Sequence, residues 1–574
     1  MKIDPITLAV IKNALDAIVD EVAYTVLRTA RSEIVKDVMD YSATICDASG
    51  NMIAQAKTIA LHLGAVPEAM SLVLAKYGND LHEGDAIILN DPYQGGMHLP
   101  DIFMFTPIFL DGVLEGFSVV ICHHTDVGGR VPGSNAADST EIFQEGLRIP
   151  ILKYYDKGVL NEALHSVIEL NVRVPDRVLG DLKAQLAACH VGAREMGKLI
   201  SKYGCDTAHY YFAELLDYAE RLARDDIRSW PDGVYRFTDY IDDDGFNSEP
   251  LPIAVAITVQ GDGLIVDYEG SSAQVPAALN ATKSYTNSCT YLSVRCILNG
   301  DIPNNQGIFR CIEVRAPKAS ILNPDIPSAC AARALTGYRV MDAMMGALTQ
   351  IVPDRVPAAG EGGNTVVAIG GYKSDSTPFI IVDMICGCWG GRPDKDGVDA
   401  ITNPSQNLSN TPVEVLERQH PVRIEDYSLI TDSCGAGEYR GGLGVRRSYR
   451  LLADTAGLQL RSDRTVFAPF GLAGGEPGRK TTNWLVRNSE RIDLPGKVTM
   501  PLKSGEMLVH EQAGAGGFGS ALNRSVEKVL ADLQDQKITP DYARKWHGVV
   551  LGADGVTLDQ SATDTLRREM RSNV

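Results

Sequence analysis

The sequence predicts a mixed α/β (α+β) protein of several domains, an N-terminal α/β domain with a helical tail followed by β-rich domains. Three observations lead to it. Apolar residues recur at helical spacing near the start of the chain and again over 162–230. From 231 the texture changes to short β-branched runs separated by glycine and asparagine turns. The 574 residues, 44% of them hydrophobic, exceed what a single core supports. The expected units are 1–230, an α/β domain carrying the reactive centre; 231–430, a central α/β domain; and 431–574, a glycine-rich β domain closed by helices.

Asp4 and Pro5 have the chemistry of an N-cap and a first helical position, and Ile11, Leu15, Ile18, Val22 and Val26 then keep helical spacing, so a long opening helix is expected. Residues 41–46 and 52–55 flank Asp47-Ala-Ser-Gly-Asn51, the pattern of a β-hairpin. Residues 85–89 and 116–122 read as strands, and the helical stretch 162–230 is broken near Pro175 and Gly204. Strand-like runs follow at 253–258 and 264–268. Beyond 430 glycine-rich turns alternate with short strands, until 525–533 and 539–546 return to a helical pattern.

Composition excludes several classes of function. Lys and Arg total 54 against 73 Asp and Glu, and the formal charge of −19 repels nucleic acid. Eleven cysteines are scattered singly, apart from Cys386 and Cys388, which suits reduced thiols and a cytoplasmic location. The stretch MKIDPITLAV lacks the basic and apolar regions of a signal peptide. The longest apolar runs are interrupted, as at Asp383, well before the roughly 18 residues that a membrane span needs.

Five of the eleven histidines, His62, His82, His98, His123 and His124, fall within 62–124. His98-Leu-Pro-Asp101 sets an imidazole and a carboxylate three residues apart, where a turn lets both face one cation. The preceding Asn90-Asp-Pro-Tyr-Gln-Gly-Gly96 is turn chemistry that brings backbone close to that point. His123 and His124 end a strand-like run, so their side chains should diverge: one to ligate with His98 and Asp101, the other to reach a second metal or a bound water. Asp40, at the mouth of the hairpin, is a further carboxylate. Mixed His/Asp ligation without thiolate suits Mn²⁺, Zn²⁺ or Fe²⁺ with an open coordination position. A strand-end histidine is usually packed, and H-x-x-D occurs by chance; their joint occurrence beside the glycine loop carries the expectation.

Other motifs are weaker. Asp242-Asp-Asp-Gly245 lacks the spacing of a calcium loop and reads as a solvated turn. Residues 514–519 fit G-x-G-x-x-G but lie too near the C-terminus for a nucleotide-binding half, and a glycine-rich turn is expected there. Residues 474–481 miss the phosphate-loop spacing, so ATP, if used, belongs to another chain. Cys386 and Cys388 read as buried or inert thiols.

Asp40-Tyr-Ser-Ala-Thr44, His62-Leu-Gly-Ala-Val-Pro67, residues 90–101, His123-His-Thr-Asp-Val-Gly-Gly129, residues 132–150 with Ser139-Thr-Glu-Ile-Phe-Gln-Glu-Gly-Leu-Arg148, Tyr439-Arg-Gly-Gly-Leu-Gly444 and residues 514–519 together resemble the hydantoinase B family. That family includes the smaller subunits of ATP-dependent hydantoinases and lactamases, the C-terminal part of 5-oxoprolinase, and acetone carboxylase α subunits. The resemblance runs nearly end to end. It implies a metal centre on His98, Asp101 and His123, with Asp40 and His124 available to a second cation. It also implies a hydantoinase A-like partner that binds Mg-ATP and phosphorylates the substrate oxygen, in an α2β2 heterotetramer. The implied reaction is opening of a cyclic amide, a hydantoin, lactam or 5-oxoproline, by metal-activated water. Asp126 or Glu141 is the candidate base, with a role in orienting a ligand histidine favoured. The alternative is an acetone- or acetophenone-type carboxylase on the same ligands. Ala515 and the pair Ile121-Cys122 depart from the family's usual residues, which bears on substrate and not on the centre.

Overall fold

The computed structural model of the chain describes residues 3–572, so Lys2, the one basic residue of the N-terminal stretch, lies outside them. The opening helix runs Pro5–Thr29, and the Asp4 carboxylate accepts from the Ile6 and Thr7 amides, satisfying two of the donors a helix start leaves free. Ile11, Leu15, Val19, Val22 and Val26 form its buried face, which packs on the long helix Pro175–Tyr203. That helix and the next, Cys205–Ile227, are the helical tail, divided where Gly204 interrupts them.

A seven-stranded sheet carries the N-terminal unit. Its strands are β1 (Tyr41–Asp47), β2 (Met52–Gln55), β3 (Ala86–Leu89), β4 (Asp101–Leu110), β5 (Val113–His123), β6 (Leu152–Asp156) and β7 (Val159–Leu160), in the order β2-β1-β5-β4-β3-β6-β7 with every pair antiparallel. Strand β4 has no counterpart in the sequence reading. It is buried along most of its length, as β1, β3 and β5 are, but Pro107 falls inside its run, and a proline there argues against a central strand. The register sets Asp101, the first residue of β4, opposite His123, the last of β5.

A second sheet begins at β8 (Gly233–Ile241) and continues through β9 (Leu251–Gln260), β10 (Gly263–Asp267) and β11 (Ile312–Arg315), in the order β11-β10-β9-β8. The wholly buried helix Arg333–Leu348 packs on β8 and β9. The change of sheet falls where the composition changes near 230. Strands β12 (Val366–Tyr372) and β13 (Pro378–Met384) precede the last seven: β14 (Val422–Leu429), β15 (Val445–Leu451), β16 (Thr455–Arg461), β17 (Thr482–Arg487), β18 (Glu490–Leu494), β19 (Lys497–Lys503) and β20 (Met507–Glu511). They form two sheets, β13-β12-β16-β19 and β14-β15-β20-β17-β18. A division at 430 therefore passes through a sheet, and the principal core draws residues from Ile11 through Leu408, while Val367, Ile369, Phe379, Ile381 and Ile385 join a second core.

The glycine-rich segment 514–519 is not a turn. It is a run of backbone outside any regular strand that passes among several others, tied by Gly435 N–H to the Ala515 carbonyl, Ala515 N–H to Gly442, Gly391 N–H to Gly516 and Leu472 N–H to Gly517. A Cβ at Gly514 would strike the Ser433 carbonyl oxygen, and one at Gly516 that of Phe470. These glycines permit close approach of backbones rather than approach of a phosphate. All eleven cysteines are free, and among the described residues no helix is long and apolar enough to cross a membrane.

Candidate metal centre

The edge of the first sheet at which β1 begins, β4 begins and β5 ends gathers the expected residues. His123 N–H donates to the Asp40 carbonyl (3.1 Å) and His124 N–H to that of Pro100 (2.8 Å), stitching the three together. His98 lies on a turn closed by the Asp101 N–H to its carbonyl (3.1 Å). Asn90 fixes the preceding loop: its side-chain amide donates to the Leu99 and Leu147 carbonyls (2.7 and 3.0 Å) and its oxygen accepts from Ile149 N–H (2.7 Å).

Within this frame His98, Asp101 and His123 bring one ligand atom each to within 4.8 Å of one another, all buried. His98 Nε2 is 3.0 Å from Asp101 Oδ1 without the geometry of a hydrogen bond, and His98 Nε2, Asp101 Oδ1 and both nitrogens of His123 are buried and unpartnered. Such atoms are costly unless something else satisfies them. The remaining atoms are committed elsewhere: His98 Nδ1 donates to the Ala331 carbonyl (3.1 Å), and Arg333 donates to Asp101 Oδ2 (2.6 Å). An imidazole whose far nitrogen is tied to a carbonyl, with the near one bare, is the arrangement of a metal ligand. The donor set fits a divalent ion that prefers nitrogen and oxygen.

Electrostatics agree. Burial and the neighbouring positive groups hold His98 down at about 4 and His123 well below the usual histidine range, so both rings are neutral near pH 7. Burial works to raise Asp101, but His98, Arg333 and His62 outweigh it and keep the carboxyl well below its ordinary range. Burial, reinforced by the Asp101 charge, pushes Asp40 well above its ordinary range.

The other expected residues divide. Asp40 is at the centre, its Oδ1 3.6 Å from His62 Nε2. His124 faces the opposite side of the sheet, where its Nε2 meets Gln185 Oε1 (3.0 Å) on the long helix, and Gln185 in turn donates to the Ile102 and Val120 carbonyls (2.8 and 3.2 Å). The two histidines diverge as a strand requires, and the side His124 takes is a packed one. Asp126 accepts from the Gly128, Gly133 and Arg173 amides and the Arg173 guanidinium, so it braces a loop and has no contact with the ligand histidines. Glu141 is exposed at the head of a short 3₁₀ turn. Neither is brought to the cluster.

Four residues at the centre were not singled out in the sequence. His62 adds a third imidazole, 3.9 Å from Asp101 Oδ2; it belonged to the histidine-rich stretch, which was the available signal. Glu145, four residues beyond Glu141, is buried and accepts from the Cys330 and Ala331 N–H groups (2.8 Å each), which steadies the carbonyl that orients His98. Arg333 and Arg461 arrive from more than two hundred residues away, and no local spacing announces them. The centre thus draws on the second half of the chain as well as on the N-terminal quarter. A second cluster, His82, Asp85 and Asp156, already holds a cation, since Lys153 Nζ lies 3.1 Å from both carboxylates.

Comparison with known proteins identifies the family. The pattern described as Hydantoinase B/oxoprolinase matches residues 4–521. The chain belongs to that family. It is 34% identical to the B component of the putative D-/L-hydantoinase of a Pseudomonas species, over 99% of this chain and 98% of that one. It is 33% identical to the β subunit of the caprolactamase of Pseudomonas jessenii, over 98% and 99%. The crystal structure of the ATP-dependent caprolactamase from Pseudomonas jessenii superposes with a TM-score of 0.92 at 32% identity, covering 99% of this chain and all of that one. A nucleotide-free acetone carboxylase structure has a TM-score of 0.89 at 20% identity over 99% of this chain and 83% of that one, a kinship of fold. The chain therefore shares its mixed α/β, multi-sheet architecture with that caprolactamase along its whole length.

Proposed function

We propose that this chain is the metal-holding subunit of an ATP-dependent cyclic amide hydrolase that opens a hydantoin, lactam or 5-oxoproline ring in the cytoplasm. The observation that carries the reading is the set of buried, unpartnered ligand atoms on His98, Asp101 and His123 in a fold shared end to end with a caprolactamase. The relatives are named as the B component of a hydantoinase and the β subunit of a caprolactamase, one solved as an ATP-dependent enzyme, which supports a partner chain; that it binds ATP and assembles with this chain as α2β2 is part of the proposal. The acetone carboxylase alternative has likeness of fold alone to support it.

His98, Asp101 and His123 would hold a Mn, Zn or Fe ion. When bound, it supplies Lewis acidity toward a carbonyl or phosphoryl oxygen. The chain's own residues do the rest. The Ala331 carbonyl keeps the proton of His98 on Nδ1, and Arg333 occupies Asp101 Oδ2 so that Oδ1 alone faces inward. Ser42 Oγ donates to the Ile59 carbonyl (2.8 Å) and accepts from His62 Nδ1 (2.9 Å), turning a bare Nε2 toward Asp40. Asp40, whose carboxyl burial and the Asp101 charge push well above its ordinary range, faces the bare Nε2 of His62 at 3.6 Å, so a proton can pass between these two groups. Burial of the whole cluster excludes bulk water.

The test is co-expression with an ATP-binding partner and assay of released phosphate with hydantoin, caprolactam and 5-oxoproline. Phosphate release that depends on one of these rings supports the reading; an active ATPase indifferent to all three sinks it.

A further inference from the structure

Seven arginines are buried among the described residues, Arg333, Arg339, Arg440, Arg447, Arg461, Arg464 and Arg524. Six of them have a carboxylate within 4.0 Å: Asp101 for Arg333, Asp239 for Arg339 and Arg464, Asp399 for Arg440, Asp383 for Arg447 and Asp396 for Arg524. Arg461, at the end of β16, has none. Its Nη1 donates to Asn135 Oδ1 (3.0 Å) and to the Ala331 carbonyl (2.9 Å), its Nη2 to Asn364 Oδ1 (3.3 Å), and its Nε has no partner. All of its partners are neutral. A buried guanidinium without a counter-charge is among the least favourable groups a protein can keep, so a compensating anion is expected from elsewhere.

Its position says where that anion sits. Arg461 and His98 Nδ1 share one acceptor, the Ala331 carbonyl, so the guanidinium lies directly behind a candidate metal ligand. Arg333 is beside it, with its own Nε buried and unpartnered, and it opens the helix Arg333–Leu348, whose positive end adds to the field. Burial and the Arg333 charge pull Arg461 down to about 10, a sign of positive charge left uncompensated. The nearby carboxylates do not correct the imbalance. Two guanidiniums and a divalent ion outweigh Asp101, Asp40 and Glu145 even with all three ionised.

We propose that Arg461, with Arg333 beside it, is the receptor for a phosphoryl oxyanion that the substrate carries into the centre. The inference rests on the reading above, in which the ring arrives phosphorylated on its oxygen and His98, Asp101 and His123 hold a divalent ion. A phosphoryl group brings more negative charge than a carboxylate and presents several acceptor oxygens to a planar fork of donors. Docked there it neutralises the excess and satisfies the orphaned N–H groups. It also fixes the reacting carbon beside the metal ligands. Asn135 and Asn364 hold the fork in place without quenching its charge, which suits a site that must release its anion after each turnover.

The test uses the full chain loaded with Mn²⁺, titrated calorimetrically with inorganic phosphate and, separately, with acetate. Wild type should bind phosphate more tightly than acetate. Arg461→Met should weaken phosphate by at least about thirtyfold, and Arg461→Lys, which keeps the charge but loses the fork, by about tenfold, with metal content unchanged. The lysine variant carries the test if the methionine variant does not fold. No phosphate binding by wild type up to about 10 mM, or equal affinity in wild type and the folded variants, would overturn the proposal. So would acetate bound as tightly as phosphate. Neither ATP nor a partner enters this titration. Failure of phosphate binding beside intact cyclic-amide turnover removes the subsite alone; phosphate binding with no ring opened removes only the substrate reading.

Discussion

Asp101 and His123 are cross-strand partners, the first residue of β4 set against the last of β5, and this pairing decides which of two adjacent histidines enters the centre. The period of a strand is two, so a slip of one residue would bring His124 inward and turn His123 to the helix side. The centre is therefore built on sheet register rather than on loop conformation, which gives its ligands the precision of the sheet.

The ligand assignment predicts that His98→Ala and Asp101→Ala each weaken metal affinity by at least about a hundredfold, since even loss of an outer partner of a ligand costs 10- to 100-fold. Equilibrium dialysis against Mn²⁺ measures it, with circular dichroism to confirm the fold. Either variant binding the ion as wild type does would remove that residue from the centre.

His124 behaves differently. Its ring meets Gln185 behind the sheet, so His124→Ala should retain full metal content while losing about 1–3 kcal/mol of stability, the cost of leaving a buried partner unsatisfied. A thermal melt alongside metal analysis separates the two effects. Loss of the ion with unchanged melting would place His124 in the centre after all.

Most of the N-terminal architecture was legible because its elements obey simple periods: the capped opening helix, the hairpin about Asp47-Ala-Ser-Gly-Asn51, and the helical tail broken at Gly204. Strand β4 was not, because Pro107 interrupts its run and a proline speaks against a central strand. His98, Asp101 and His123 stood out through local spacing. Arg333 and Arg461 reach the same point only through tertiary packing, so nothing near them in sequence could mark them. The glycines of 514–519 misled for a related reason: what they permit is contact with other segments, and a motif read within one segment does not contain it.

Those contacts make a prediction. Gly516→Ala places a Cβ against the Phe470 carbonyl, where backbone cannot give way, and should abolish folding or cost at least about 3 kcal/mol. Gly197→Ala, in the middle of the long helix with nothing within 4 Å of the added carbon, should instead stabilise by up to about 1 kcal/mol. Expression yield and melting temperature distinguish them. Two variants that melt alike would refute the close-packed arrangement.

Two histidines far from the centre set a pH dependence. Burial holds His510 at about 3 and His547 at about 4, against about 6.5 in an unfolded chain. Between pH 6.5 and 4 the unfolded chain binds protons that the folded one refuses, so the stability these rings contribute is present above 6.5 and is lost as pH falls, by about 1.4 kcal/mol per pH unit for each. The melting temperature of the metal-loaded protein should drop from pH 7 to pH 5, and drop less in the His510→Gln, His547→Gln double variant. An equal drop in both proteins would contradict the assignment.

The central claim is that His98, Asp101 and His123 form a metal centre, and elemental analysis of the purified wild-type chain after desalting reaches it most directly. Buried, neutral imidazoles and an ionised carboxylate whose inward-facing atoms have no other partner predict about one equivalent of Mn, Fe, Zn or Co per chain. Less than about a tenth of an equivalent in a preparation that turns over substrate would contradict it.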